Sequence, residues 1–228
     1  MFNARTIPAP QAGKYTMIIP GSADSSIEPG GDGCFTITVS PAGTTRLTGS
    51  LADGTRISQS GTLSKHAQWG LYSALYRGQG SVVSWITFTN GPSEDLNGRV
   101  SWIKPGGMTG LYPAGFELET MATGSWYDPP LKGNRVLDFT KAVVVLSGGG
   151  LAQNLTNSVK LSSKNNVTSA NNTLLTFTLA TGSFSGSVAV PGTTRRLSFN
   201  GVVLQKQNLG KGFFLGTSEG GEVRFSHH

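Results

Sequence analysis

Apolar and polar residues alternate along most of the chain. The clearest case is 34–39 (CFTITV), where every second side chain is large and apolar. Segments 45–51 and 55–60 flank Asp53-Gly54, a dipeptide suited to tight hairpin turns. Further strands are predicted at 70–76, 81–89, 98–103 and 116–120. The second half adds 141–147, 158–161, 173–179, 183–190, 195–204, 212–216 and 222–225. Gly, Pro, Asn or Asp punctuates the gaps between them. No window pairs helical spacing of apolar residues with freedom from glycine, proline or β-branched runs, so no helix is predicted. Short strands at this spacing define an all-β, antiparallel fold, barrel-like or sandwich-like.

The pattern also repeats. FTITVSPAGTTRLTGSLADGTRISQSGTL followed by GLYSALYRGQGSVVSWITF is echoed by TFTLATGSFSGSVAVPGTTRRLSFNGVVL followed by GFFLGTSEGGEVRF. Gly49-Ser50 matches Gly186-Ser187, Gly61 matches Gly201, and Gly70 matches Gly212. Residues 14–226 therefore divide into two related halves, about 14–110 and 111–226. An isolated half-sheet would expose unpaired edges and an apolar face. The expectation is that the halves join into one barrel-like domain around one core. Residues 1–13, with Pro8 and Pro10, read as a linker, and His227-His228 as the stub of a purification tag.

Composition narrows the class. A hydrophobic fraction of 37% over 228 residues can fill a core. The single cysteine, Cys34, excludes an internal disulfide framework and multi-cysteine metal sites. Net charge is +6, but only 13% of residues are charged, against roughly 25% in an average domain. The basic residues are dispersed, the densest spots being 206–211 and the pair Arg195-Arg196, so a nucleic-acid footprint is not expected. No apolar run approaches the roughly 18 residues of a membrane span, and residues 1–12 lack a signal-peptide core.

The segments GVVLQKQNLGKGFFLGTSEGGEVRF and LTGSLADGTRISQSGTLS carry a resemblance that extends over most of residues 14–226. They resemble the C-terminal β-rich region of large secreted bacterial multidomain proteins, which often hold immunoglobulin-like repeats upstream. The resemblance implies an exported module, extracellular or at the cell surface, within a longer chain. Its motifs are hairpin and core glycines, and it supplies no catalytic residues.

Candidate chemistry is sparse. Apart from the tail, His66 is the one histidine, in a predicted loop without a nucleophile elbow, so a Ser-His-Asp arrangement has no support. Acids occur mostly in Gly/Pro-rich turns. Glu117 and Glu119 share one face of a strand, expected to be the solvent face, which leaves a carboxylate-dependent glycoside-active enzyme as the weakest reading. In the loop 24–33 (DSSIEPGGDG), Asp24, Glu28 and Asp32 are candidate calcium ligands, hard oxygens around glycines without EF-hand spacing. The segment 147–150 (SGGG) lacks the lysine and helix of a phosphate loop.

Aromatic residues concentrate in 69–127 and include all four tryptophans. Trp85 and Trp102 alternate with apolar neighbours and are expected in the core. Trp69, Tyr112, Trp126 and Tyr127 stand in loop contexts and are the candidate ligand-binding residues. Their rings can stack on the C–H faces of sugars. The reading is a non-catalytic module binding polysaccharide or a cell-surface glycan. The alternative is a structural or adhesive terminal domain.

Overall fold

Each half of the chain pairs its own first strand with its own last. The computed structural model describes residues 2–228, which hold sixteen strands and one short 3-10 turn at Tyr76–Gly78. The first half contributes β1 (Gly13–Ile19), β2 (Gly33–Val39), β3 (Thr44–Ser50), β4 (Arg56–Thr62), β5 (Gln68–Leu75), β6 (Gly80–Phe88), β7 (Leu96–Lys104) and β8 (Phe116–Trp126). Their order is β4-β3-β2-β1-β8-β7-β6-β5, antiparallel throughout. The second half contributes β9 (Lys141–Gly148), β10 (Leu155–Leu161), β11 (Val167–Ser169), β12 (Leu174–Thr178), β13 (Ser183–Ala189), β14 (Arg196–Leu204), β15 (Leu209–Leu215) and β16 (Gly220–His227), in the order β11-β10-β9-β16-β15-β14-β13-β12.

The all-β antiparallel architecture of two related halves is the one the alternation indicates. The expectation that neither half completes its own sheet does not hold. Pairing β1 with β8, and β9 with β16, turns each half into a nearly closed eight-stranded barrel. The remaining edges are consecutive strands, β4 beside β5 and β11 beside β12, so no edge needs the other half. Strand β8 belongs to the first sheet, and the join between halves falls at residues 127–140 rather than near 110. The exposed area, 11,314 Å², exceeds the roughly 10,000 Å² expected of one globule of this mass, as two bodies side by side require.

Three apolar clusters follow. One fills the first barrel, including Met17, Phe35, Leu47, Trp69 and Trp102. A second fills the other barrel and takes in Val136, Leu137 and Phe139 of the connecting segment. The third joins the barrels. Ile18 and Cys34 on the outer faces of β1 and β2, with Ala52, pack on Val202, Leu204 and Phe213 from β14 and β15. Thr16 Oγ1 donates to the Val203 carbonyl across this seam, and the Asp32 amide donates to the Gly212 carbonyl at 3.1 Å.

The repeated glycines have a packing reason. Gly49 stands opposite Phe35, Gly186 opposite Phe199, and Gly201 opposite Phe184 across neighbouring strands. A Cβ at any of these would fall within 2.6 Å of the ring. A bare backbone lets the ring lie across the strand while the sheet curves. His227 is paired with Ala142 at the end of β16.

Candidate functional site

The mouth of the first barrel beside the second carries an aromatic-lined cleft of about 440 Å³. Its lining includes Gln11, Tyr15, Phe88, Asn90, Asp95 and Trp126. Trp126 ends β8. Its amide donates to Asp95 Oδ2 at 2.7 Å, and its ring lies over Gly13, where a Cβ would come within 2.2 Å of Cη2. Glycine at 13 therefore seats the indole. Tyr15 meets Trp126 edge-to-face at 5.1 Å and Phe88 edge-to-face at 4.9 Å. These contacts fix the ring while leaving the residue 42% exposed.

Polar groups complete the cleft. The Tyr15 hydroxyl donates to the Gln11 carbonyl at 2.9 Å, and burial, then the nearby Asp95 charge, pushes its pKa well above the ordinary tyrosine value. It stays a neutral donor. Asp95 is buried and accepts from Lys206 Nζ, which reaches over from the turn between β14 and β15 and also donates to the Gly91 carbonyl at 2.8 Å. Gln11 also lines the cleft, and its side-chain oxygen is buried with no hydrogen-bond partner among the described residues.

Of the expected binding residues, Trp126 alone presents a free ring. Trp69 is an inward residue of β5, 1% exposed, with its indole against Gly61 of β4, where it plugs the unpaired seam of the first barrel. Tyr127 is equally buried. Its hydroxyl donates to the Leu179 carbonyl, and its ring packs on Gly182 in the second barrel. Tyr112 is buried at the seam, where its hydroxyl accepts from the Gly220 amide at 2.8 Å. Trp69 thus serves the core of the first barrel, while Tyr127 and Tyr112 tie the first half to the second. Trp102 is buried as expected, but Trp85 is 68% exposed. In β6 it is Val82, Ser84, Ile86 and Phe88 that face inward, so Trp85 faces out. With Tyr72, Val83 and Met121 it forms an apolar outer face over β5 to β8, beside the Arg99–Glu119 ion pair.

Of the candidate calcium ligands, Asp24 and Glu28 share one turn, the Glu28 amide donating to the Asp24 carbonyl at 3.3 Å. Asp24 accepts from the amide and hydroxyl of Ser26 in its own turn. Asp32 is buried and points at Lys211 Nζ, 3.0 Å away, which also meets Glu222 at 3.2 Å. Burial works against the Lys211 charge, yet the two carboxylates hold its pKa above the ordinary lysine value. Glu117 and Glu119 lie on the exposed face of β8, as expected. A second polar cavity, about 450 Å³, lies beside Asp53, Tyr76 and Lys104. It and the Trp126 cleft each contain one carboxylate, whereas glycoside hydrolysis through paired acids needs two flanking the bond.

Tyr15, Phe88, Asn90, Asp95 and Gln11 were not legible as site residues. Tyr15 lies in a strand whose two faces are both buried, Phe88 ends β6, Asn90 and Asp95 share the loop that follows it, and Gln11 precedes β1.

No family model matches the chain, and no curated protein matches it. Among solved structures, the chain is similar to an endo-1,5-alpha-L-arabinanase from Thermotoga petrophila RKU-1, with TM-score 0.28 and 12% identity over 93% of this chain and 54% of the other. The same enzyme in complex with TRIS gives TM-score 0.28, 12% identity and coverage of 93% and 55%. The chain thus spans about half the length of that protein. A likeness at this score carries no weight for fold or activity.

Proposed function

We propose that the chain is a non-catalytic module of an exported protein that binds a glycan in the Trp126 cleft. The carrying observation is the Trp126 ring, fixed by Gly13 and Tyr15 yet 42% exposed at a cleft with amide and hydroxyl neighbours. Such a ring stacks on the apolar face of a sugar, while Asn90, Gln11 and Thr89 supply uncharged hydrogen bonds to its hydroxyls. The surface, with only 13% charged residues in the chain, suits a module working outside the cell. The test is affinity electrophoresis on neutral polysaccharides with the native protein and Trp126→Ala. Retention on at least one glycan, lost in the variant with circular dichroism unchanged, is expected. Failure of the native protein to be retained on any glycan, or equal retention of the variant, overturns the reading.

A second reading, a structural or adhesive domain of a cell-surface protein, is favoured by the outer face around Trp85 and Tyr72, 68% and 57% exposed. Trp85→Ala in the same electrophoresis, together with binding to insoluble polysaccharide, separates the two. Adhesion through this face predicts loss with Trp85→Ala and none with Trp126→Ala.

A further inference from the structure

We infer that the flare between the two barrels opposite the Trp126 cleft is a second glycan site, built for acidic saccharides bearing sulfate or carboxylate groups. This deepens the glycan-binding reading by naming a ligand class, and it uses different residues.

The two basic spots of the sequence have different fates. Lys206 and Lys211 are each neutralised by a carboxylate of the first barrel, Asp95 and Asp32. Arg195 and Arg196 are not. They line a cavity of about 410 Å³ together with Arg56, and its lining contains no carboxylate. Among the described residues none of the three arginines is in a salt bridge. All three are exposed. Arg196 is anchored, its Nε donating to Ser187 Oγ at 3.0 Å and one terminal nitrogen to the Asn172 carbonyl at 2.7 Å. Among the described residues its other terminal nitrogen has no hydrogen-bond partner. Arg56 opens β4 in the first barrel, so the basic residues of the lining come from both sides of the seam.

The remaining lining favours a sugar over a bare ion. The outer row of β14 runs Arg196, Ser198, Asn200 and then Val202 and Leu204, which enter the core between the barrels. The polar end of this row supplies a hydroxyl and an amide. Phe213 lies below it, and Leu215, 43% exposed, touches the Gly54 turn of the opposite barrel. The flare thus offers an apolar floor, neutral hydrogen-bonding groups and three unneutralised guanidinium groups in the volume of one or two sugar rings. Guanidinium groups bind carboxylate and sulfate oxygens through paired, charge-assisted hydrogen bonds. Uncompensated charge in a cleft concentrates anions there.

The test measures binding of heparin oligosaccharides, oligogalacturonate, a neutral dextran and inorganic polyphosphate at low and moderate salt. It compares the native protein with Arg56→Ala/Arg195→Ala and with Trp126→Ala. Among the described residues neither arginine side chain removed in the double variant makes a hydrogen bond, so the variant should stay folded; a thermal melt checks this. Heparin or oligogalacturonate should bind the native protein and Trp126→Ala alike and bind the arginine variant at least tenfold more weakly. Dextran binding should be indifferent to the arginine changes. The proposal is overturned if neither acidic saccharide binds, if the arginine variant binds them as well as the native protein does, or if polyphosphate binds as tightly as the saccharides. Loss of acidic-glycan binding in Trp126→Ala but not in the arginine variant would keep the Trp126 reading and reject this one.

Discussion

Raising the pH should unfold this protein through its buried phenols and its one thiol. Tyr15, Tyr112 and Tyr127 are buried and Tyr76 is half-buried, together four of the five tyrosines. Burial is the main cause that raises each of their pKa values; an acid nearby adds to it, Asp95 for Tyr15, Asp53 for Tyr76 and Asp128 for Tyr127. Tyr127 is raised from 10.0 to about 12. Cys34, in the core between the barrels, is raised by burial and then by Asp32 from 9.0 to about 12. Each group has a folded pKa above its unfolded one. Its stabilising effect is therefore complete below the unfolded value and is lost as pH climbs towards the folded one. At about pH 11 the difference for Cys34 spans about two pH units of titration, or about 3 kcal/mol, and that for Tyr127 about one, or about 1 kcal/mol. The other three tyrosines act in the same direction. A domain stability of about 5–15 kcal/mol would be largely consumed.

The assay follows tyrosinate absorbance and far-ultraviolet circular dichroism on the same samples from pH 8 to 12. Both signals should change together in one steep transition, with most tyrosines ionising only as the strands are lost. Cys34→Ala should move that transition to higher pH, because the variant has no thiol to ionise in the unfolded chain. If three or more tyrosines ionise while the strand signal is intact, the burial argument is wrong.

Two further perturbations probe how the barrels are joined. Ile18→Ala removes a side chain that lies outside both barrel interiors, in the cluster shared with Val202 and Phe213, and should cost about 2–5 kcal/mol at that seam. Calorimetry should then resolve one unfolding event into two, whereas a single transition merely shifted downwards would mean that the seam is not what couples the barrels. Lys206→Met leaves the buried Asp95 carboxylate with only the Trp126 amide as donor. It should lower the urea midpoint by the equivalent of about 3 kcal/mol, near the low end for a broken buried pair because Lys206 is a quarter exposed. Adding Asp95→Asn should restore part of this loss, and a fully additive double variant would refute the pairing.

Strand content was legible because a barrel wall with one wet face alternates, as β2 and β7 do. Strand β1 was not, and the reason is physical. Its residues YTMII are buried on both faces, one against the first barrel's core and one against β14, so it reads as an apolar run without period. Trp85 went wrong for a related reason. Alternation defines two sets of positions in β6 but does not say which set faces inward when both contain apolar residues. Trp69 reads as a loop residue after the polar run Lys65-His66-Ala67-Gln68, and Tyr127 before Asp128-Pro129-Pro130. In the fold, Trp69 lies within β5 and Tyr127 just beyond the end of β8, and both rings pack against neighbouring glycines.

The same logic explains why the two halves differ in surface chemistry. Packing β14 and β15 on β1 and β2 buries one outer face of each barrel and leaves the outer face of β5 to β8, with Trp85 and Tyr72, in solvent. The seam must end somewhere, and at each end the curved walls diverge into a cleft. One end is closed electrostatically by Lys206 on Asp95 and retains an aromatic pocket of low net charge. The other gathers Arg56, Arg195 and Arg196 with no acid to neutralise them. The Trp126 cleft is lined by the first barrel alone, the second contributing Lys206, which holds Asp95. The arginine flare draws on both barrels, so joining two similar barrels creates a surface that neither repeat encodes alone. Dissociating the seam should therefore abolish the arginine flare while leaving the Trp126 lining and the Trp85 face intact.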